Sequence, residues 1–385
     1  MYRVVKLRTL RVLLVVALLA AGVYAVAPKP SSVLCAGQST KPAASDESAF
    51  LEAFAAVQPI DAHMHVYKDD PALKALMLRL RLRMLNICVI DDRDPFFKGL
   101  EPQRGDVLRV FHSTGGRAVF CTTFSPYDFE EPGFDARVIR QLDADFAAGA
   151  VAVKIYKVMG MEMKSRTGKF VMADDPAFEP IYQDIAAHRR TLVAHLAEPD
   201  SCWQPPNPAS PDYEYYKEHP EEYAYAHPEW PSKAAILAAR DHLLAKNPRL
   251  RVVGAHLGSM EADVNEMAHR FDRYPNFAVD TAARVPYFML QPREKVRAFL
   301  IKYQDRILYA TDLVVMPQDN TEKALQEWTS TYERDWKFFA TDRTVEYKGH
   351  NAHGLRLPEP VLRKLYHDNA VHWIPGIVGP VHIPH

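Results

Sequence analysis

From residue 45 onward the chain alternates short β-type runs with longer stretches of helical periodicity, and this alternation constrains the fold more than any other feature. The runs QPIDAHMH, LNICVIDD, RAVFCTTF, AVAVKIYK, TLVAHL, LRVVGAHL, NFAVD and RILYATD follow one another in that order, eight in all. Between them, DARVIRQLDADFAAG, PAFEPIYQDIAAHRR, SKAAILAARDHLLAKN and EADVNEMAHRFDRY repeat apolar residues three and four apart, as an amphipathic helix does. Strands joined through helices pair in parallel. Eight such units in a chain of 385 residues predict an α/β fold, a (β/α)8 TIM barrel. An open doubly wound sheet is the competing arrangement, and no glycine fingerprint follows the first strand to support it.

The first 37 residues differ from all that follows. Arg3, Lys6, Arg8 and Arg11 precede the apolar run VLLVVALLAAGVYAVA, and small residues come after it, the layout of a secretory signal peptide. The run from Val12 to Ala27 is shorter than the roughly 20 residues that span a bilayer comfortably. The expectation is therefore export to the periplasm or the extracellular space, with no stable membrane anchor after leader cleavage. Cys35 raises lipidation, but Leu34 stands before it where a small residue is expected. Residues 1–37 read as leader, 38–56 as linker and N-terminal helix, and 57–385 as the barrel.

The 47 basic and 48 acidic residues leave a formal charge of -1, so nucleic acid is not an expected partner. Nothing in the sequence excludes a homo-oligomer. Of the four cysteines, Cys88 and Cys121 lie in apolar runs and read as small buried hydrophobes, and Cys202 falls in a loop. Their spacing is neither that of a zinc ribbon nor that of a redox motif.

Two segments depart from the alternation. Residues 198 to 233, EPDSCWQPPNPASPDYEYYKEHPEEYAYAHPEWPSK, follow the fifth strand, and roughly residues 313 to 358 follow the eighth. Both are expected as long loops over the C-terminal ends of the strands, where barrels carry their chemistry.

In DAHMH, His63 and His65 are two apart on a strand and share one face. Two neutral imidazoles make half of a metal site. The other strands supply the rest: strand five ends in His195, strand six in His256 and strand eight in Asp312. In a barrel these positions reach one rim and point inward. Four imidazoles and a carboxylate facing one cavity are costly to bury without a compensating cation.

Taken together, DAHMH, the strand-end HL, GAHLGS and YATD resemble the amidohydrolase superfamily. The nearest likeness is to its amidohydrolase-related branch, which includes aminocarboxymuconate-semialdehyde decarboxylase and several lactone hydrolases. The likeness covers about residues 57 to 375, with YPNFAVDTAAR before the eighth strand and LYHDNAVHWI near the end. It implies that His63, His65, His195 and Asp312 ligate one divalent ion, with His256 a base or acid beside it. Three imidazoles and a carboxylate suit zinc, with manganese or iron as alternatives, and a bound water would have its pKa lowered towards about 7. Asp312 can accept a proton from that water and pass it to a leaving group, while His256 polarises the carbonyl or handles a proton.

The leading expectation is an exported hydrolase that cleaves an amide, ester or lactone bond of a small molecule. A non-oxidative decarboxylase of a small aromatic or dienic acid would use the same residues, and a catalytically silent periplasmic binding protein is the reading from another class. Lys154 near the end of strand four stands where some amidohydrolases carry a carboxylated lysine bridging two metals. A second metal held by His195 and His256 is thus the alternative to Lys154 as a substrate-orienting ammonium. Lys157 reads as an ordinary rim residue. Glu198, Arg284 and the aromatic loop, Trp203 above all, are candidates to contact substrate, the arginine suiting a carboxylate.

Overall fold

The structure, a computed structural model, describes residues 46–347 and 349–379. The leader-like residues 1–37, with Cys35, lie outside the described residues. All eight expected strands are present: β1 (Ile60–Val66), β2 (Arg83–Ile87), β3 (Ala118–Thr123), β4 (Ala152–Ile155), β5 (Thr191–Ala194), β6 (Arg251–Gly254), β7 (Phe277–Asp280) and β8 (Ile307–Leu308). They pair in sequence order, each parallel to the next. A short continuation, β9 (Val314–Val315), pairs in parallel with β1, His65 opposite Val314. Together with the bond from Ala62 N–H to Tyr309 O at 2.9 Å, it closes the sheet into the expected barrel. Closure removes the free edges of this sheet.

The side-chain period of the strands divides the core in two. Ile60, Ala62, Leu85, Ile87, Val119, Cys121, Val193, Val253 and Leu308 fill the barrel, and Trp373, Ile374 and Ile377 plug the end where the strands begin. Thr191 Oγ1 donates to Trp373 O at that end, at 2.5 Å. Met64, Val66, Phe120 and Leu192 face outward into the helical layer. In β1 the parity changes. The register shifts between Asp61 and Met64, an irregularity that moves the inward-facing set from 60 and 62 to 63 and 65. The two histidines therefore continue the inner wall at the rim, while Asp61 is turned outward.

The two departures from the alternation fold differently from each other. Residues 198–233 make short helical turns, Asp200–Trp203, Tyr213–Glu218, Pro220–Glu222 and Ala224–Ala226, as a proline-rich segment allows. The expected long loop after β8 is instead mostly regular structure. It holds a 20-residue helix, Thr321–Ala340, and a hairpin of Thr344–Tyr347 with His350–His353. Ala324, Trp328, Tyr332, Trp336 and Phe339 recur every three or four residues and are all buried, so this is an amphipathic barrel helix. It packs on the N-terminal helix Asp46–Ala56, with Phe54 and Tyr332 stacked at 4.9 Å. Cys88, Cys121 and Cys202 are buried and unpaired.

Candidate active site

A cavity of about 480 Å³ opens at the C-terminal ends of the strands, and His65, Lys154, His195, His256 and Asp312 line it. His63 sits beneath them, fully buried. The rings are close: His63 and His65 have centroids 5.3 Å apart, His63 and His256 5.0 Å, His195 and His256 4.2 Å. Asp312 Oδ1 lies 3.5 Å from His63 Nε2 and 3.4 Å from His65 Nε2. Lys154 Nζ lies 3.0 Å from His63 Nε2. The four histidines and the carboxylate expected at the strand ends thus converge, with Lys154 among them.

Three of the four rings are oriented from behind. His65 Nδ1 is 2.9 Å from the carbonyl of Ile87, and His256 Nδ1 is 3.0 Å from that of Ala282. A carbonyl only accepts, so Nδ1 carries the hydrogen in both, and Nε2 keeps the lone pair. His63 Nδ1 faces Asp280 Oδ2 at 2.9 Å. Asp280 Oδ1 accepts the backbone N–H of His256 at 2.8 Å, so one carboxylate fixes groups from two strands. The sequence reading passed over Asp280, although NFAVD ends a strand in a carboxylate just as YATD does. Asp61 was also missed: it accepts from Thr311 Oγ1 at 2.6 Å, Thr311 N–H at 3.1 Å and Tyr332 OH at 3.1 Å, anchoring the turn that carries Asp312. Burial pushes the Asp61 carboxyl up to about 7.

Burial governs the charge states of the site. It holds His63 and His256 well below the usual histidine range and lowers His195 to about 4. Lys154 is lowered to about 8, again by burial, against the pull of Asp280 and Asp312. For Asp312 burial acts upward, but His256, His65 and His63 outweigh it and hold the carboxyl well below its usual value.

The chain leaves several strands by sharp turns at this rim. Ala197, His256, Ala283 and Asp312 all have positive φ, 64°, 58°, 53° and 67°. Left-handed backbone costs a non-glycine residue roughly 1–2 kcal/mol, and such strain gathers at functional sites.

One wall of the cavity is a charge network. Lys157, expected as an ordinary rim residue, is buried and joins Glu198 to Glu222, the latter at 2.5 Å. Glu198 also meets Arg284 Nη2 at 3.4 Å, and Arg284 Nε is buried with no hydrogen-bond partner. Glu198 and Arg284 line the cavity as expected. Trp203 does not. The turn Asp200–Trp203 directs its indole back onto its own loop, where Nε1 donates to Pro231 O at 3.2 Å. From the same loop, Tyr215, Tyr216 and Glu222 do reach the cavity.

A profile of the amidohydrolase family matches residues 60–375, from β1 to the last helix. No curated protein matches the chain. Among solved structures it is similar to an uncharacterised TIM-barrel protein of Bordetella bronchiseptica, at 16% identity and TM-score 0.44, over 83% of this chain and 99% of that one. It is also similar to a dihydroxybenzoic acid decarboxylase of Polaromonas sp. JS666 with bound manganese, at 13% identity and TM-score 0.49, over 82% and 96% of the two chains. A third is a 4-oxalomesaconate hydratase of Rhodopseudomonas palustris, at 10% identity and TM-score 0.47, over 83% and 96%. Because the family profile spans the whole barrel, from the first strand-end histidines to the terminal plug, the chain belongs to the amidohydrolase family of enzymes.

Proposed function

We propose that the chain is an exported, metal-dependent hydrolase that cleaves an amide, ester or lactone bond of a small molecule. The observation that carries this reading is a set of imidazoles whose Nδ1 edges are already taken. His63, His65 and His256 face Asp280, Ile87 O and Ala282 O at Nδ1, which turns three Nε2 lone pairs to one region beside Asp312. Neutral rings with a fixed tautomer are the form in which histidine binds a metal. His195 Nε2 is buried with Glu198 Oε1 3.6 Å away, beyond hydrogen-bond distance, so a ligated cation would satisfy it. His63, His256 and Asp312 each offer a ligand atom within 4.8 Å of the others.

These donors fit a divalent ion. His63, His65, His195 and Asp312 would hold it, zinc first by ligand type, with manganese or iron accommodated. One contact must change on loading. Lys154 Nζ lies 3.0 Å from the lone pair that His63 would give to the ion, so the ammonium must withdraw or lose its proton. Carboxylation of Lys154 across a second ion held by His195 and His256 is the other way to relieve that contact. A bound ion supplies Lewis-acid polarisation of a carbonyl and lowers the pKa of water to about 7.

The chain's own residues supply proton transfer and orientation. Burial keeps His256 in the neutral form, so its Nε2 is available to accept a proton and return it to the leaving group. Asp312, whose carboxyl lies well below its usual value, is the second acceptor. Glu198, Arg284 and Lys157 form the polar wall against which a substrate is oriented, and Tyr215 and Tyr216 cover it. Export is supported by the basic and then apolar leader of residues 1–37.

The test is turnover by the zinc-loaded chain across esters, lactones and amides, with carbon dioxide release followed in parallel on small aromatic and dienic acids. The expected result is release of a carboxylic acid product, abolished by chelation and restored by zinc. Carbon dioxide release without hydrolysis would replace this reading by the decarboxylase, and binding without any turnover by the silent binding protein.

A further inference from the structure

The turn after β6 is the most strained segment of the rim. His256, Leu257, Gly258 and Ser259 have φ of 58°, 57°, 60° and 56°, one full turn of left-handed backbone in which only one residue is glycine. Nothing in the local sequence favours that conformation for histidine, leucine or serine. Long-range contacts must therefore hold it, and two side chains that take no part in the proposed chemistry make them.

Arg240, on the helix Lys233–Lys246, is 1% exposed. Its Nη1 donates to the carbonyl of Gly258 at 2.5 Å, and its guanidinium lies over the Phe277 ring at 4.9 Å. A Cβ on Gly258 would stand 3.0 Å from that Nη1, so the glycine answers to the close approach of the arginine as well as to its own positive φ. Burying a guanidinium is costly, and Asp241, its carboxylate neighbour at 3.2 Å, is only partly buried. Ser259 is the second contact. Its hydroxyl is within hydrogen-bond reach of the carbonyls of Leu196 and Ala197, at 2.8 and 3.1 Å, which ties the turn after β6 to the turn that follows His195.

We propose that Arg240 and Ser259 are positioning residues that hold the left-handed turn 256–259 and so set the 4.2 Å separation of the His195 and His256 rings. Asp280 holds the His256 N–H and the carbonyl of Ala282 faces its Nδ1, but neither contact ties His256 to the turn that follows His195. The clamp supplies the missing constraint: Ser259 joins the two turns, and Arg240 holds the Gly258 carbonyl from outside the barrel. A displacement of about 1 Å in such a pair is enough to reduce turnover about 100-fold.

The test uses Arg240→Met, which keeps the length and removes the fork, with Arg240→Lys and Ser259→Ala beside it. In crystal structures of the variants, the expected outcome is a wider His195–His256 separation, with φ leaving the left-handed region at one or more of residues 256–259. In turnover, kcat falls about 100-fold for Arg240→Met and about tenfold for Ser259→Ala, while KM changes by no more than about threefold. Arg240→Lys, which can still reach the Gly258 carbonyl, recovers part of kcat. If Arg240→Met does not fold, Ser259→Ala and Arg240→Lys carry the same readouts. The turnover arm rests on the proposed hydrolase; the crystallographic arm does not, so failure of one is distinguishable from failure of the other. Folded variants that keep the 4.2 Å separation and full kcat, losing only thermal stability, would overturn the clamp.

Discussion

The two sides of the site reach the same end by different physics. On the side of β1 and β9, His63 and His65 stand on strand, turned inward together by the register irregularity in β1, with their rings held by Asp280 and the carbonyl of Ile87. On the side of β5 and β6, His195 and His256 lie just past their strands, His256 in left-handed backbone and His195 with an unsatisfied Nε2. The first side is carried on a strand, and both of its Nδ1 atoms have partners. The second is built by long-range clamps and has a partner to gain. Asp280 spans the divide, touching a ring from the first side and a backbone N–H from the second.

The largest effect belongs to the strand-borne side. Replacing both His63 and His65 by Ala should abolish retention of a divalent ion, seen as metal content after desalting, because two of the four proposed ligands are gone. Next is His256→Asn, expected to keep the ion while kcat falls by about 10²- to 10⁴-fold, the usual loss for a positioned acid-base group. Loss of half the bound metal in that variant would instead mean two ions and a carboxylated Lys154. Asp280→Asn touches both sides at once and should lower metal affinity and turnover together, each by about 10- to 100-fold, as for other groups that orient a ligating histidine. An effect of that variant confined to one of the two would show that the sides are not coupled through Asp280.

The smallest expected effect is on pH dependence and concerns Glu162, which is joined through Arg93 to Glu222 of the charge network. Burial raises the Glu162 carboxyl to about 7, against the pull of Arg93 at 3.0 Å. Its folded pKa thus exceeds the ordinary value of 4.5, so the folded state holds this proton more tightly than the unfolded state does. Its contribution to stability is complete below about pH 4.5 and is lost as pH rises through about 7. The melting temperature of wild type should fall relative to that of Glu162→Gln as pH rises across that window. A constant difference would show that Glu162 does not titrate there.

The same division explains what could be read from the sequence. Period-2 and period-3.6 patterns gave the eight strands, the helices between them and the strand-end histidines, since each depends on neighbours along the chain. The register shift in β1 and the left-handed turns at Ala197, His256 and Asp312 have no such local signature. Asp280 and the helix Thr321–Ala340 did have one. The first was overshadowed by its histidine neighbours, and the second by the assumption that a long segment after the last strand is a loop. Lys157 was misjudged because its partners, Glu198 and Glu222, are 41 and 65 residues away. Trp203 was misjudged because composition does not say which way a side chain in an irregular loop will turn.

The central claim, that this ring of donors is a metal centre, is tested most directly by elemental analysis of the mature chain, repeated after chelation and after titration with zinc. The account predicts about one tightly held divalent ion per chain, removed by the chelator and regained on titration. A chain that carries no ion as purified and takes up none at micromolar zinc would contradict it.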